Sequence, residues 1–181
     1  MELKSFKFLG HTISENGIET NDDKIARIKE APIPGVLHNW DLELTNYYRR
    51  FIKDYSKLAA PLYSAITGNE KKLEWTLESF LILKNKLCKA PVLAFPIPGN
   101  QMIIDTDASF GEIGGVLSQR SSTGKETVIA YGSRGLSSHE KGYCVTRKEL
   151  LALHEFIMYF KHYLYSKTTK LWHICRRPIS Q

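Results

Sequence analysis

The stretch MIIDTDASFGEIGGVLSQ, residues 102–119, constrains the fold more than any other part of the chain. A short apolar run enters Asp107, the small residues Ala108 and Ser109 follow, and a second run rich in Gly and Val returns. This reads as a strand, a tight connection and a second strand. It leaves a carboxylate at a strand end with little steric cover. A site that holds divalent cations against a phosphodiester needs that placement. Glu149, in TRKELLAL at the start of an amphipathic helix, supplies a second acid of the same kind.

The surrounding pattern extends this into a mixed α/β arrangement. Strand-like runs are expected at 101–107, 111–118 and 127–133, with SSTG at 121–124 as the hairpin turn between the last two. A helix over 147–163 follows, its inner stripe read as Leu150, Leu153, Ile157, Phe160 and Leu164. TTKLWHI, 168–174, reads as a further strand returning beside the first. Pro96, Pro98, Gly99 and Asn100 mark a boundary ahead of this region.

Upstream, 6–13 is a short apolar strand and Glu15-Asn16-Gly17 a turn. Asn21 stands where a helix N-cap belongs, with Asp22 and Asp23 favourable to the helix dipole. Leu44, Tyr47, Tyr48, Phe51 and Ile52 fall at i, i+3, i+4, i+7 and i+8, the stripe of a core-facing helix. Arg49, Arg50 and Lys53 lie off that stripe. They are either a solvated face or a set of phosphate contacts, because guanidinium forks match phosphate geometry. Residues 67–74 are a polar connector, and a helix over 77–89 carries Phe80, Leu83 and Leu87.

Composition narrows the partners. A net charge of +6 favours an acidic one, and residues 156–181 hold five Lys or Arg with no Asp or Glu. Three cysteines without paired spacing read as thiols of a reducing compartment. His173-x-Cys175 has no second pair at zinc spacing, and GEIGG lacks the Lys-Ser/Thr ending of a phosphate loop. With no signal-peptide pattern and no apolar run of about twenty residues, the chain is expected to be soluble and intracellular, in cytoplasm or nucleus, with no membrane partner.

A series of blocks resembles one family. FLGHTISENGIET (8–20), NYYRRFIKDYSKLAAPLY (46–63), APVLAFP (90–96), DTDAS (105–109), GGVLSQ (114–119), IAYGSR (129–134) and YCVTRKELLAL through HYLY (143–165) occur in family order. They are similar to the Pol polyprotein of gypsy-class LTR retrotransposons, from the end of the reverse transcriptase into its RNase H domain. GVLHNWDLEL departs from the family, and the tail after Tyr165 does not match. The resemblance implies a primer-grip hairpin and helical thumb-like segment at 1–66, a connector with a helix at 67–99, and a truncated RNase H-like domain at 100–181 with a divergent tail at 166–181. It also implies RNA–DNA hybrid or DNA as partner, the remainder of a Pol polyprotein, and Mg²⁺ as cofactor.

The same resemblance assigns Asp107 and Glu149 to the first two positions of an Asp-Glu-Asp-Asp set that binds metal and cuts the RNA of a hybrid. Glu155 is the last acid in the chain, so the third and fourth positions have no candidate downstream. The polymerase Tyr-x-Asp-Asp is also missing, since the adjacent acids Asp22-Asp23 belong to a helix start. Two carboxylates hold Mg²⁺ poorly. The chain alone is therefore expected to be inactive. A non-catalytic nucleic-acid-binding module and a translated remnant without present function are the alternatives. Each acid also has a structural role available: Thr146-Arg147-Lys148-Glu149 fits a capping box, and Asp105 reads as a surface acid.

Overall fold

The computed structural model describes residues 5–30, 43, 45–66, 73–165 and 171–175. They form two compact units, Met1–Leu93 and Ala94–Gln181.

In the first unit, β1 (Ser5–Phe8), β2 (His11–Ser14) and β3 (Gly17–Thr20) make an antiparallel meander. The expected single strand over 6–13 is therefore a hairpin. Leu9 and Gly10 turn it with φ of 44° and 76°, and the Gly at the second position makes this left-handed pair accessible. Helix α1 (Asp22–Glu30) begins as expected: the Asn21 side chain accepts from the Asp23 amide at 2.9 Å, and Ile25 and Ile28 are buried.

The helix expected through Ile52 does not continue. After residues 45–47 the chain tightens into a 3₁₀ turn, Arg49–Phe51. That turn keeps Tyr48, Phe51 and Ile52 buried but leaves Tyr47 exposed. Leu44 and most of GVLHNWDLEL lie outside the described residues. Helices α2 (Tyr55–Ile66) and α3 (Leu73–Cys88) pack together, the second burying Phe80, Leu83 and Leu87 as its spacing predicts. Leu93 closes the unit by pairing its backbone with Ile18 at 2.8 and 2.9 Å.

The second unit starts earlier than the Pro-Gly signal suggests. Ala94 donates to the Val128 carbonyl, and the buried Gln119 side chain holds the backbone at Phe95 and Ile97. Its sheet has the order β6-β5-β4-β7, built from β4 (Gln101–Ala108), β5 (Glu112–Arg120), β6 (Glu126–Gly135) and β7 (Leu171–Cys175). The first three are antiparallel neighbours, and β7 lies parallel to β4 as expected for a returning strand. Short helix α4 (Ser138–Lys141) leads into α5 (Val145–Tyr159) and α6 (Lys161–Leu164).

Helix α5 packs on β4 and β5, but through a different stripe from the expected one. Lys148, Ala152 and Phe156 are its buried residues, followed by Phe160 at its C-cap, whereas Leu150 is 62% exposed. The reason lies in the strands beneath. Gly115 and Gly132, side by side in register, leave the room that the Phe156 ring fills. A hydrophobic count along the helix alone does not see a gap in the opposing sheet.

Candidate functional site

The register of the sheet decides where Asp107 goes. Directly opposed residues share a face, so Thr106, Gly115 and Gly132 lie together under Phe156. Asp107 pairs with Gly114, and Gly114 with Ser133, on the opposite face by alternation. Asp107 is exposed at the C-terminal end of β4, and Glu149 is half-buried near the start of α5. The two acids thus belong to the same end of the unit, where the start of α5 meets the β4–β5 connection. Asp105 is half-buried, not the surface acid expected from sequence, because its pairing with Val116 and Ile174 places it between two strands.

Glu149 does not close a capping box. The N-cap of α5 is Cys144, with no side-chain cap bond, so the helix begins ahead of the Thr146 position that the motif required. The capping box of this region is one element earlier. The Ser137 side chain accepts from the Glu140 amide and the Glu140 carboxylate from the Ser137 amide, at 3.3 and 2.8 Å. Glu140 and Glu155 both bind Arg134, at 3.0 and 3.3 Å. The guanidinium and the Ser137 amide hold the Glu140 carboxyl down at about 2. The Arg134 guanidinium is raised in turn, chiefly through Glu140. This triad ties β6, α4 and α5 together, and it commits the last acid of the sequence to a structural bond.

The side chain that sequence reading passed over is Lys148. It is only 8% exposed, and its Nζ lies 3.5 Å from the Phe110 carbonyl and 5.1 Å from the Phe110 ring centroid. The first turns of α5 are thereby fastened to the β4–β5 connection, just beyond Asp107. The i, i+4, i+8 spacing of Lys148 with Ala152 and Phe156 was the available signal, hidden because a lysine is rarely assigned to a core stripe.

Could these residues hold Mg²⁺? Among the described residues no group of three or more His, Cys, Asp or Glu converges. The parallel register sets Cys175 beside Thr106, one position before Asp107, and the sequence continues Arg176-Arg177. Among the described residues β7 thus brings a cysteine to that end, while β5 begins there with Glu112, two positions from the Gly114 that pairs with Asp107. A centre for two cations roughly 3.5–4 Å apart needs several converging carboxylates, and the described residues do not bring such a set together.

In the first unit the basic residues are less free than expected. Arg49 and Arg50 are half-buried, their guanidinium carbons 5.9 Å above the Tyr55 ring and 5.7 Å above the Phe51 ring. The 3₁₀ turn replaces the helix that would have pointed them outward; Lys53 alone of the three is exposed. Nearby, the Tyr48 hydroxyl donates to the Gly10 carbonyl at 2.5 Å and Tyr47 donates to that of Leu9. His11 stacks on Tyr47 at 5.2 Å. Burial pushes its pKa down, with Arg50 and Lys24 adding to the effect.

Residues 74–171 match the RNase H-like domain found in reverse transcriptase. The chain belongs to that family. Its relatives include the Retrovirus-related Pol polyproteins from the Drosophila melanogaster transposons opus, 34% identical over 96% of this chain, and 297, 36% identical over 89%. A Tf2-3 transposon polyprotein of Schizosaccharomyces pombe is 31% identical over 88%. The chain spans 19%, 15% and 12% of these three relatives' own lengths. In fold it is similar to the foamy viral protease-reverse transcriptase solved in complex with RNA/DNA hybrid. That match has a TM-score of 0.78 and 20% identity, over 94% of this chain and 24% of that one. The dRH form in complex with double-stranded DNA gives 0.76 and 20%, over 93% and 30%. The mixed α/β fold expected from the sequence is thus the fold of this reverse-transcriptase RNase H-like family. Among the described residues no helix is long and apolar enough to cross a membrane.

Proposed function

We propose that this chain is a nucleic-acid-holding segment of a retrotransposon Pol protein, and that by itself it neither synthesises DNA nor cuts the RNA of a hybrid. Its partner is RNA–DNA hybrid or DNA, with Arg49, Arg50 and Lys53 among the contacts to phosphate. The remainder of a Pol polyprotein is its natural context.

One observation carries the inactive reading: the strand parallel to β4 reaches the Asp107 end with Cys175, and no Asp or Glu follows Glu155. Asp107 and Glu149 are the residues that would face Mg²⁺, whose part in the family is to activate the attacking water and steady the leaving oxygen. A site acting as a unit loses most of its rate when one ligand is missing, not a proportional share. Basic charge and the overall +6 support binding through phosphates, which makes affinity fall steeply with salt.

The test is direct. Purified chain is incubated with end-labelled RNA–DNA hybrid and Mg²⁺ or Mn²⁺, and retention is measured across a salt series. Salt-sensitive binding without cleavage is expected. Cleavage product that disappears in Asp107→Asn would overturn the inactive reading, and no retention at low salt would overturn the binding one.

A further inference from the structure

Phe110 is 79% exposed at the tip of the β4–β5 connection. Such a side chain on a loose loop would mean little, but this connection is fixed. Ser109 donates to the Glu112 carbonyl and Leu136 to that of Gly111, both at 2.8 Å. The buried Lys148 ammonium then holds both the Phe110 carbonyl and its ring. One side of the ring is thus engaged by a cation while most of its surface faces solvent. A second pair stands on the same turn of α5, with Arg147 stacked 3.9 Å from the Tyr143 ring centroid. The first turn of α5 contains no acid and its N-cap side chain makes no capping bond, so the positive end of the helix dipole adds to these cations.

We infer that Phe110, held in place by Lys148, is a stacking platform for an unpaired nucleobase of a bound polynucleotide strand. Every base offers a π-face, so such a platform grips strands with little regard to sequence. A ring already immobilised by Lys148 gives up little rotamer freedom on binding. The positive charge of Arg147, Lys148 and the helix end suits the phosphates on either side of that base. Asp107, Glu112 and Glu149, on the elements that flank this connection, oppose a purely electrostatic grip, which makes the uncharged aromatic surface the natural point of attachment. The inference rests on the nucleic-acid-holding reading above and adds the chemistry of one contact to it.

The experiment uses the full chain and a labelled oligothymidylate of about twelve nucleotides, read by fluorescence anisotropy at low salt, with blunt RNA–DNA hybrid as comparison. Phe110→Ala should weaken oligothymidylate binding by about 5- to 100-fold and blunt-hybrid binding much less. Phe110→Leu, apolar but without a π-face, should behave as the alanine variant does. Phe110→Trp should restore affinity, and its emission should be quenched by the bound strand beyond any change in the three native tryptophans. Unchanged affinity in Phe110→Ala, or full affinity in Phe110→Leu, would overturn the inference while leaving the holding function intact. No binding of any polynucleotide by the wild-type chain would overturn both.

Discussion

The packing of α5 on its sheet can be tested by adding a single carbon. A Cβ at position 115 would lie 2.4 Å from Cγ of Phe156 and 2.7 Å from both Cδ atoms, well inside van der Waals contact. The clash is with the root of the ring, so rotating the side chain about its own axis does not relieve it. The far edge of the ring already lies close over Gly132, where a Cβ would stand 2.7 Å from its Cε1, so the ring is seated across both glycines. Overpacking of this kind costs about 1–3 kcal/mol. Restricting the unfolded chain by replacing Gly with Ala returns about 0.4–1 kcal/mol where the backbone tolerates it, and Gly115 has no positive φ. Gly115→Ala should therefore destabilise by about 1–2 kcal/mol net, a fall in melting temperature of about 2–8 °C at this chain length. Gly111→Ala, where a Cβ meets nothing within 4 Å, is the matched control and should be neutral or slightly stabilising. The assay is thermal and urea unfolding followed by circular dichroism, with Phe156→Leu and the double variant completing a cycle. The smaller side chain should recover part of the loss in the double variant. If Gly115→Ala unfolds with wild-type stability, or the two changes are strictly additive, the Phe156-in-a-glycine-cleft account of this interface is wrong.

Two pH predictions concern the two units separately. Glu140 has its folded pKa lowered to about 2 against an ordinary 4.5, so its contribution is complete above the unfolded value and disappears as pH falls from there toward 2. Arg134→Met should flatten the acid limb of a melting-temperature profile across that window; an unaltered limb would count against the triad. His11 has a folded pKa depressed below 6.5, first by burial and then by Arg50 and Lys24, so the folded state resists protonation. Stability of the first unit should decline as pH drops through 6.5, and His11→Gln should remove that decline in melts from about pH 7.5 to about pH 5. An identical slope in the variant would refute this assignment.

What the sequence made legible is what short-range chemistry determines. Asn21 caps its helix, the SSTG turn places Gly124 at a φ of 82°, and LWHI, 171–174, returns beside β4 because each depends on neighbouring residues or on a plain apolar run. The misreadings share another origin. Leu150 is exposed and Lys148 buried because Gly115 and Gly132, distant in sequence, open a cleft for Phe156 and thereby set the rotation of the whole helix. That rotation carries Lys148 inward against Phe110, a contact between residues thirty-eight positions apart that periodicity along one element cannot register. The site shows the same division. Asp107 and Glu149 are recognisable one by one from local motifs, but whether acids assemble into a cation site depends on which strand lies beside which and in what register. The β4–β7 register answers with Cys175 in the neighbouring strand at that end. Whether a local acid motif becomes a site is thus a matter of strand pairing, and the same pairing is what sets a buried Lys148 against the exposed Phe110 ring at that end of the unit.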